Sequence, residues 1–401
     1  MDKKPNDIVI ISGCRTAIGR FGGSLKGLRA HQLAGVVMEA AIERAGIDKG
    51  ALGEVIVGDC VQCPDEANTA RTAALAIGVP VEVPAYTVQK QCSSSMQALM
   101  SARQQILAGD TDIVLVAGTE SMSNAPYVLP GARWGERLMD GKMVDAVWEL
   151  LHSGSTFLGE RMIMGQTAEK LARVHEIGRA EQDEVALRSH ANAEAATRSG
   201  RFKDEIVPVV VKGKKGETVF ETDEHTRFGL TMDDLSRLKP AFAGDGTVTA
   251  GNASGLNDGA AAAVVTTRAK AEELGAAPLT RIVAQTSAGV DPTIMGYGPV
   301  PATEKLLARA GLSLADIGLF EVNEAFAAQY LACEKGLGLD RKKVNVNGSG
   351  IGLGHPVGCT GLRIVVSLLY EMRRRGERYG LATLCVGGGM GMATLLELEG
   401  A

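Results

Sequence analysis

Apolar residues fall on consecutive positions in several short runs of this chain. Ile8-Val9-Ile10-Ile11, Glu54-Val55-Ile56-Val57-Gly58 and Ile113 to Gly118 lack the apolar–polar alternation of a half-solvated sheet. Such runs predict strands buried on both faces. Tyr86-Thr87-Val88 is a further extended run. Between the strands, His31 to Ala45 carries small and apolar residues at helical spacing and is closed by Gly46. Asn68–Ile77 and Met96 to Leu107 are also helix-like. Strands alternating with helices predict an α/β fold with buried sheets.

The texture changes from Ser121 to about Ala250. This stretch holds Trp134, Trp148 and most of the charge clusters, with an amphipathic helix from about Arg179 to Ser199. Lys203 to Glu224 is polar and strand-like, with Gly213-Lys214-Lys215-Gly216 as a hairpin-style turn. The pattern predicts an insertion covering one face of the core, which resumes at Ala260–Val265. The second half then repeats the first. A helix from Thr303 to Ala310, closed by Gly311, precedes the strand Gly318–Glu321. A glycine-rich turn at Gly348–Gly361 leads into a helix from Leu362 to Arg375, then the strand Leu381–Val386. The expected organisation is an N-terminal half over 1–120, completed by about 250–272, an insertion over 121–249, and a C-terminal half over 273–401. A duplicated core puts the site where equivalent loops meet.

Composition narrows the partners. With 401 residues, 45% of them hydrophobic, the chain can bury a large core. A net charge of −5 leaves no basic excess for phosphate neutralisation, which excludes nucleic acid as the main partner. Fifty glycines imply tight turns and close backbone approaches. Seven cysteines, an odd number, and a polar Met1–Asp7 without a signal-like apolar region suggest free thiols in a reducing cytoplasm. The apolar run Leu381–Leu396 is interrupted by glycines and too short to span a bilayer, so no membrane is expected.

Four segments carry chemistry. Gln91-Cys92-Ser93-Ser94-Ser95-Met96 puts a cysteine between a strand and a helix, where helix N–H groups and the positive end of the dipole favour thiolate. Asn323-Glu324-Ala325-Phe326-Ala327 follows the strand ending at Glu321, with Asn323 a possible cap for a helix begun by Glu324. His355 lies in the glycine-rich Gly348–Pro356 loop, whose spacing is not that of a dinucleotide fingerprint. Cys385 ends a strand and is followed by Val386-Gly387-Gly388-Gly389-Met390-Gly391, at the strand end where open α/β sheets bind ligands. Taken singly, each also reads as core or cap.

In order and spacing, the four segments resemble the thiolase family. The likeness rests on Q-C-S-S-S-M-Q at Cys92, N-E-A-F-A at Asn323, G-L-G-H-P-x-G at His355 and C-x-G-G-G-M-G at Cys385, and extends over nearly the whole chain through V-I-I-S-G-C-R-T-A-I-G-R-F-G-G and G-T-V-T-A-G-N-A-S-G-L-N-D-G-A. It implies a five-layered αβαβα core of two similar halves plus an inserted loop domain. It also implies reversible Claisen chemistry on coenzyme A thioesters, with CoA as substrate or product and no permanent cofactor or metal.

By that resemblance Cys92 is the nucleophile, His355 its base, and Cys385 the acid/base at the α-carbon. A thiolate is both a soft nucleophile and a good leaving group, which an acyl-enzyme needs. One oxyanion site is His355 with a water held by Asn323; the other is the backbone N–H groups of Cys92 and Gly387. CoA would run along the loop domain past Arg227, Ala250, Ser254, Met164, Ala325 and Phe326. The assembly implied is a homodimer or homotetramer. The chain departs from the family at Gln89, where asparagine is usual, at Ser349-Gly350, and at Ile163, where acetoacetyl-CoA-forming members carry histidine. Losing that histidine makes the acyl pocket less polar and favours a degradative 3-ketoacyl-CoA thiolase over a biosynthetic one. A decarboxylating ketoacyl synthase of the same fold and a non-catalytic acyl-CoA-binding paralogue are the other readings. Cys60-x-x-Cys63 lacks a second ligand pair, so no metal site follows from it.

Overall fold

The computed structural model describes residues 3–138, 140–152, 159–214 and 216–400. In the first half, strands β1 (Ile8–Thr16), β2 (Glu54–Asp59), β3 (Ala85–Val88) and β4 (Ile113–Ser121) alternate with helices α1 (Ala30–Ala45), α2 (Thr69–Ala76) and α3 (Ser94–Ala108). Helices α4 (Ala146–His152), α5 (Met164–Val174) and α6 (Arg179–Arg198) belong to the intervening segment. Strands β5 (Asn257–Thr267), β6 (Thr280–Gly289), β7 (Leu319–Val322), β8 (Tyr379–Val386) and β9 (Met390–Leu398), with helices α7 (Pro299–Ala310), α8 (Ala327–Leu337) and α9 (Val357–Arg375), complete the core.

The duplication is visible in the pairing. In the order β1-β5-β4-β2, the first two contacts are antiparallel and the third parallel; β6-β9-β8-β7 repeats those senses. β3 pairs parallel to β2, and an isolated parallel bridge from Phe320 to Val344 occupies its place in the second half. The two halves meet where Val9 and Ile10 pair with Arg281 and Thr280, which joins them into one 11-stranded sheet.

Side-chain alternation explains why the strand runs are apolar throughout. Ile8 and Ile10 enter a central cluster with α3 and α9, whereas Val9 and Ile11 enter an outer cluster under α1 and α2. Ala261, Ala263 and Val265 of β5 face the central layer; Ala260, Ala262 and Val264 face outward. On the far side, α7 and α8 pack with β8 and β9 in a third cluster. The layers are thus helix, sheet, helix, sheet, helix, with α3 and α9 sandwiched in the middle.

Two element boundaries differ from the sequence expectation. β1 continues beyond the apolar run Ile8–Ile11 through Ser12 to Thr16, because its polar side chains are satisfied internally: Ser12 Oγ donates to Ala41 O at 2.7 Å. Helix α9 begins at Val357 rather than Leu362, so Gly358 and Gly361 lie inside it. A Cβ on Gly361 would sit 2.7 Å from Met96 N, and one on Gly358 2.5 Å from Thr119 O. Those glycines serve close packing, not turning. The hairpin is formed by Val209–Gly213 and Gly216–Phe220; Lys215 of its turn lies outside the described residues.

A buried ion cluster fastens the intervening segment to β1. Arg15 Nε donates to Glu205 Oε1 at 2.6 Å, and its Nη1 and Nη2 reach Asp223 at 2.7 and 3.0 Å, with all three residues buried. Arg15→Met leaves two buried carboxylates without a cation. Such loss costs about 3–5 kcal/mol, so the denaturant midpoint is expected to fall markedly, measured by circular dichroism in urea.

Candidate active site

The turn bearing Cys92 is strained and tightly braced. Gln91 adopts φ 50, in the left-handed region unusual for a residue with a side chain. Ser94 holds the turn closed: its hydroxyl donates to Gln91 O at 2.7 Å and accepts from Lys90 N at 2.9 Å. The start of α3 presses directly on the sheet, since a Cβ on Gly58 or Gly118 would come 2.2 Å from Ser95. Ser95 then ties the two central helices together. Its hydroxyl donates to Cys359 O at 3.0 Å and accepts from Leu362 N at 2.9 Å. This brings the N-terminal ends of α3 and α9 together, and with them Cys92 and His355.

The His355 loop is held from several sides. Its backbone N–H donates to Asn257 Oδ1 at 2.9 Å, and Asn257 Nδ2 donates to Gly19 O at 2.9 Å. Gly354 has φ 104, and a Cβ there would meet the Asn257 amide at 2.7 Å, so glycine is required. His355 Nδ1 lies 2.7 Å from Thr360 Oγ1, whose hydroxyl donates to Pro356 O at 2.8 Å. With that hydroxyl proton committed, Nδ1 carries the hydrogen and Nε2 keeps its lone pair. Burial, aided by the Arg363 charge, pushes the imidazole down to about 3, so it stays neutral and basic in form.

Cys92 is half-buried and opens on a cavity of about 530 Å³. His355, Met164, Arg227, Ala250, Ser254, Ala325 and Phe326 line the same cavity. Asn323, Cys385 and Gly387 are not among its lining residues. The backbone N–H groups of Gly387 and of Cys92 itself favour the charged form of the Cys92 sulfur. Cys385, buried at the end of β8, lies close enough to Cys92 for their charges to interact. Both Asn323 amide atoms are buried without a protein partner, and Asn323 caps no helix because α8 starts only at Ala327.

Electrostatics corrects one expectation. Burial pushes the Cys92 thiol up to about 11, outweighing the two N–H groups that favour its charged form; Glu120 raises it further. Burial likewise raises Cys385 well above the ordinary thiol range. The resting site therefore holds neutral thiols beside a neutral imidazole. The expected thiolate at a helix start is overridden by desolvation.

The cavity wall comes from both sides of the chain. Ala253 bridges to Phe326, Ser254 N donates to Ala325 O at 2.9 Å, and Ala327 N donates to Asn252 O at 2.8 Å. Phe242 meets Phe326 edge to face at 6.1 Å. Arg227 N donates to His190 Nδ1 at 3.1 Å, and Thr226 Oγ1 to Gly352 O at 3.0 Å. On the other side of Cys92, Cys60, Met122, Val147 and Val357 form an apolar cluster with Leu150, Leu151 and Leu256.

Sequence reasoning missed the bracing residues Ser95, Glu120 and Asn257. Each is a buried polar group inside an otherwise apolar or glycine-rich motif, which is the only signal it leaves. Gln89 lies against Cys60, its Nε2 3.8 Å from the sulfur. Cys63, Asp65 and Glu66 come within 4.8 Å of one another, but Arg29 pairs with both carboxylates and His31 Nδ1 hydrogen-bonds Glu66, so side chains of the protein already occupy them.

This geometry matches known proteins along the whole chain. Residues 8–269 match the model of the thiolase N-terminal domain and residues 276–398 that of the thiolase C-terminal domain. The chain belongs to the thiolase family: it is an enzyme, an acyltransferase acting on coenzyme A thioesters. It is 51% identical to beta-ketothiolase BktB of Cupriavidus necator, over 98% of this chain and 99% of that one. The crystal structure of the Bacillus anthracis acetyl-CoA acetyltransferase superposes with a TM-score of 0.96 at 53% identity, covering 99% of this chain and 100% of that one. The human mitochondrial 3-ketoacyl-CoA thiolase in complex with CoA superposes at 0.94 with 41% identity, covering 98% of each. Among the described residues, no helix is long and apolar enough to cross a membrane.

Proposed function

We propose that the chain cleaves 3-ketoacyl-CoA through an acyl-Cys92 intermediate, with acyl chains longer than acetyl as preferred substrates. His355 Nε2 takes the Cys92 proton as sulfur attacks the C3 carbonyl. The C2–C3 bond breaks, and the enolate of acetyl-CoA takes a proton from Cys385. A second CoA thiol then gives its proton to Cys385 as it attacks the thioester, and Cys92 leaves with the proton held on His355. The N–H groups of Cys92 and Gly387 stabilise the tetrahedral oxygen; His355 and a water held by Asn323 stabilise the enolate oxygen. The observation carrying this reading is that Cys92 and His355 line one cavity together with Met164, Ser254, Ala325 and Phe326.

CoA lies in this reading along Met164, Arg227, Ala250, Ser254, Ala325 and Phe326, with the segment 121–249 as its cover and 1–120, 250–272 and 273–401 as the two core halves. Chain length is read from the cluster around Cys92 and from Ile163, which lines the cavity before α5. Each methylene buried there contributes about 0.8 kcal/mol, or roughly fourfold in kcat/KM. In a thiolysis series from acetoacetyl-CoA upward, kcat/KM is expected to rise over the first added methylenes. A sharp preference for acetoacetyl-CoA overturns the degradative reading. That second reading, a biosynthetic acetyl-CoA acetyltransferase, is favoured by relatives bearing that name at 50% identity.

A homodimer or homotetramer is expected in the cytoplasm. β3 is a partly exposed edge strand, and nearby Arg103 Nε and Gln105 Oε1 on α3 are buried without a partner within the chain.

A further inference from the structure

Two carboxyl groups that the chemistry above does not use lie fully buried behind the nucleophile. Asp59 ends β2, where it pairs with Thr119 of β4, the residue before Glu120, and neither carboxyl lines the cavity. Carboxylates are rarely buried this completely without a cation, and among the described residues neither pairs with one. They are held instead by hydrogen bonds. Glu120 Oε2 accepts from Gly358 N at 2.7 Å, and Oε1 accepts from Val61 N at 3.0 Å. Asp59 Oδ2 accepts from Thr69 Oγ1 at 2.6 Å, while its Oδ1 is buried without a hydrogen-bond partner among the described residues. Burial raises both carboxyls, and the charge of Asp59 raises Glu120 further.

The two N–H groups that Glu120 joins belong to opposite halves of the reacting pair. Gly358 lies in the first turn of α9, just beyond His355 and Pro356, and its N–H has no partner within the helix. Val61 follows Cys60, whose sulfur lies 3.8 Å from both Gln91 Oε1 and Gln89 Nε2 on the Cys92 turn. One carboxylate therefore spans from the His355 loop to the bed of the Cys92 turn. The contact is close: a Cβ on Gly358 would come 2.9 Å from Cys60 N and 3.0 Å from Asp59 Cα.

We infer that Glu120 is a positioning residue of the reaction, stapling the His355-bearing end of α9 to the segment beneath Cys92 so that His355 reaches the thiol. The inference rests on the roles given to Cys92 and His355 above. Glutamine keeps the length of the side chain but offers one acceptor where two N–H groups point, so one bond is lost and the loops part. A misplacement near 1 Å costs about a hundredfold in rate.

The test is the first-order rate constant for acylation of Cys92 by saturating acetyl-CoA, followed by rapid quench and intact mass. This rate constant does not depend on the fraction of enzyme folded. Glu120→Gln is expected to lower it about a hundredfold, with KM for acetyl-CoA little changed. A wild-type rate constant, or a loss carried in KM instead, overturns the inference. If Glu120→Gln yields no folded protein, Glu120→Asp, too short to reach both N–H groups, is read the same way. His355→Asn separates the two levels. If it acylates at the wild-type rate, the underlying mechanism fails; if it does not acylate while Glu120→Gln does so normally, only the positioning role fails.

Discussion

Cys92→Ala is expected to lower kcat for thiolysis by roughly five orders of magnitude, the scale seen when the nucleophile of a coupled catalytic set is removed. No other group takes its place. Cys385, Cys60 and Cys359 are all buried, and burial holds their thiols in protonated form. The variant should fold, because Cys92 is half-buried and removing its sulfur empties little of the core. Wild type incubated with acetyl-CoA should gain the mass of one acetyl group on Cys92. The alanine variant should gain none, and absence of the adduct on wild type would support the non-catalytic reading.

The same residue fixes a pH dependence. An acid whose pKa is raised stays protonated as pH falls below it, so with Cys92 pushed up to about 11 the thiolate fraction is small at neutrality and rises with pH. Alkylation of the CoA-free enzyme by iodoacetamide should accelerate about tenfold per pH unit between pH 7 and 10. Turnover at neutral pH then requires the proton to move to His355 as the substrate carbonyl is attacked, not beforehand. A flat alkylation profile above pH 7 would mean that the resting enzyme already holds a thiolate.

Much of the fold was legible because apolar runs and glycine caps are local signals. Gly46 and Gly311 end their helices with φ 66, as their positions after apolar-periodic stretches imply. The buried strands were legible because both faces of each are covered. What local pattern could not convey was long-range satisfaction of polar groups. Arg15 reads as a loop residue until Glu205 and Asp223, far along the chain, are seen to bracket it. Gly358 and Gly361 read as turn glycines because nothing local reveals that another helix and the sheet press against them. The site followed the same division. Cys92, Asn323, His355 and Cys385 stand out because their motifs are ordered along the chain. Ser95, Asn257 and Glu120 do not, since their importance comes only from what they meet across the fold. Desolvation of the Cys92 thiol was equally hidden, because helix-start geometry is local and burial is not.

Cys385→Ala should separate the two halves of the reaction. Acylation of Cys92 by acetyl-CoA needs the nucleophile, His355 and the N–H groups of Cys92 and Gly387, none of which the substitution removes. Cleavage of a 3-ketoacyl-CoA also needs a proton at the departing α-carbon, which the proposed mechanism takes from Cys385. Its thiol lies near Cys92, and burial holds it well above the ordinary range, which keeps its proton available for the enolate. General acid–base groups contribute about 10²–10⁴-fold. We expect kcat for thiolysis to fall by roughly three orders of magnitude within that range, while the acetyl-Cys92 adduct forms at close to the wild-type rate. Exchange of α-hydrogens of acetyl-CoA with deuterated solvent provides the direct readout, because it requires the α-carbon acid/base alone. Loss of exchange with retained acylation assigns the proton to Cys385. Retained exchange would transfer that role to His355, whose neutral Nε2 is the remaining base on the cavity wall.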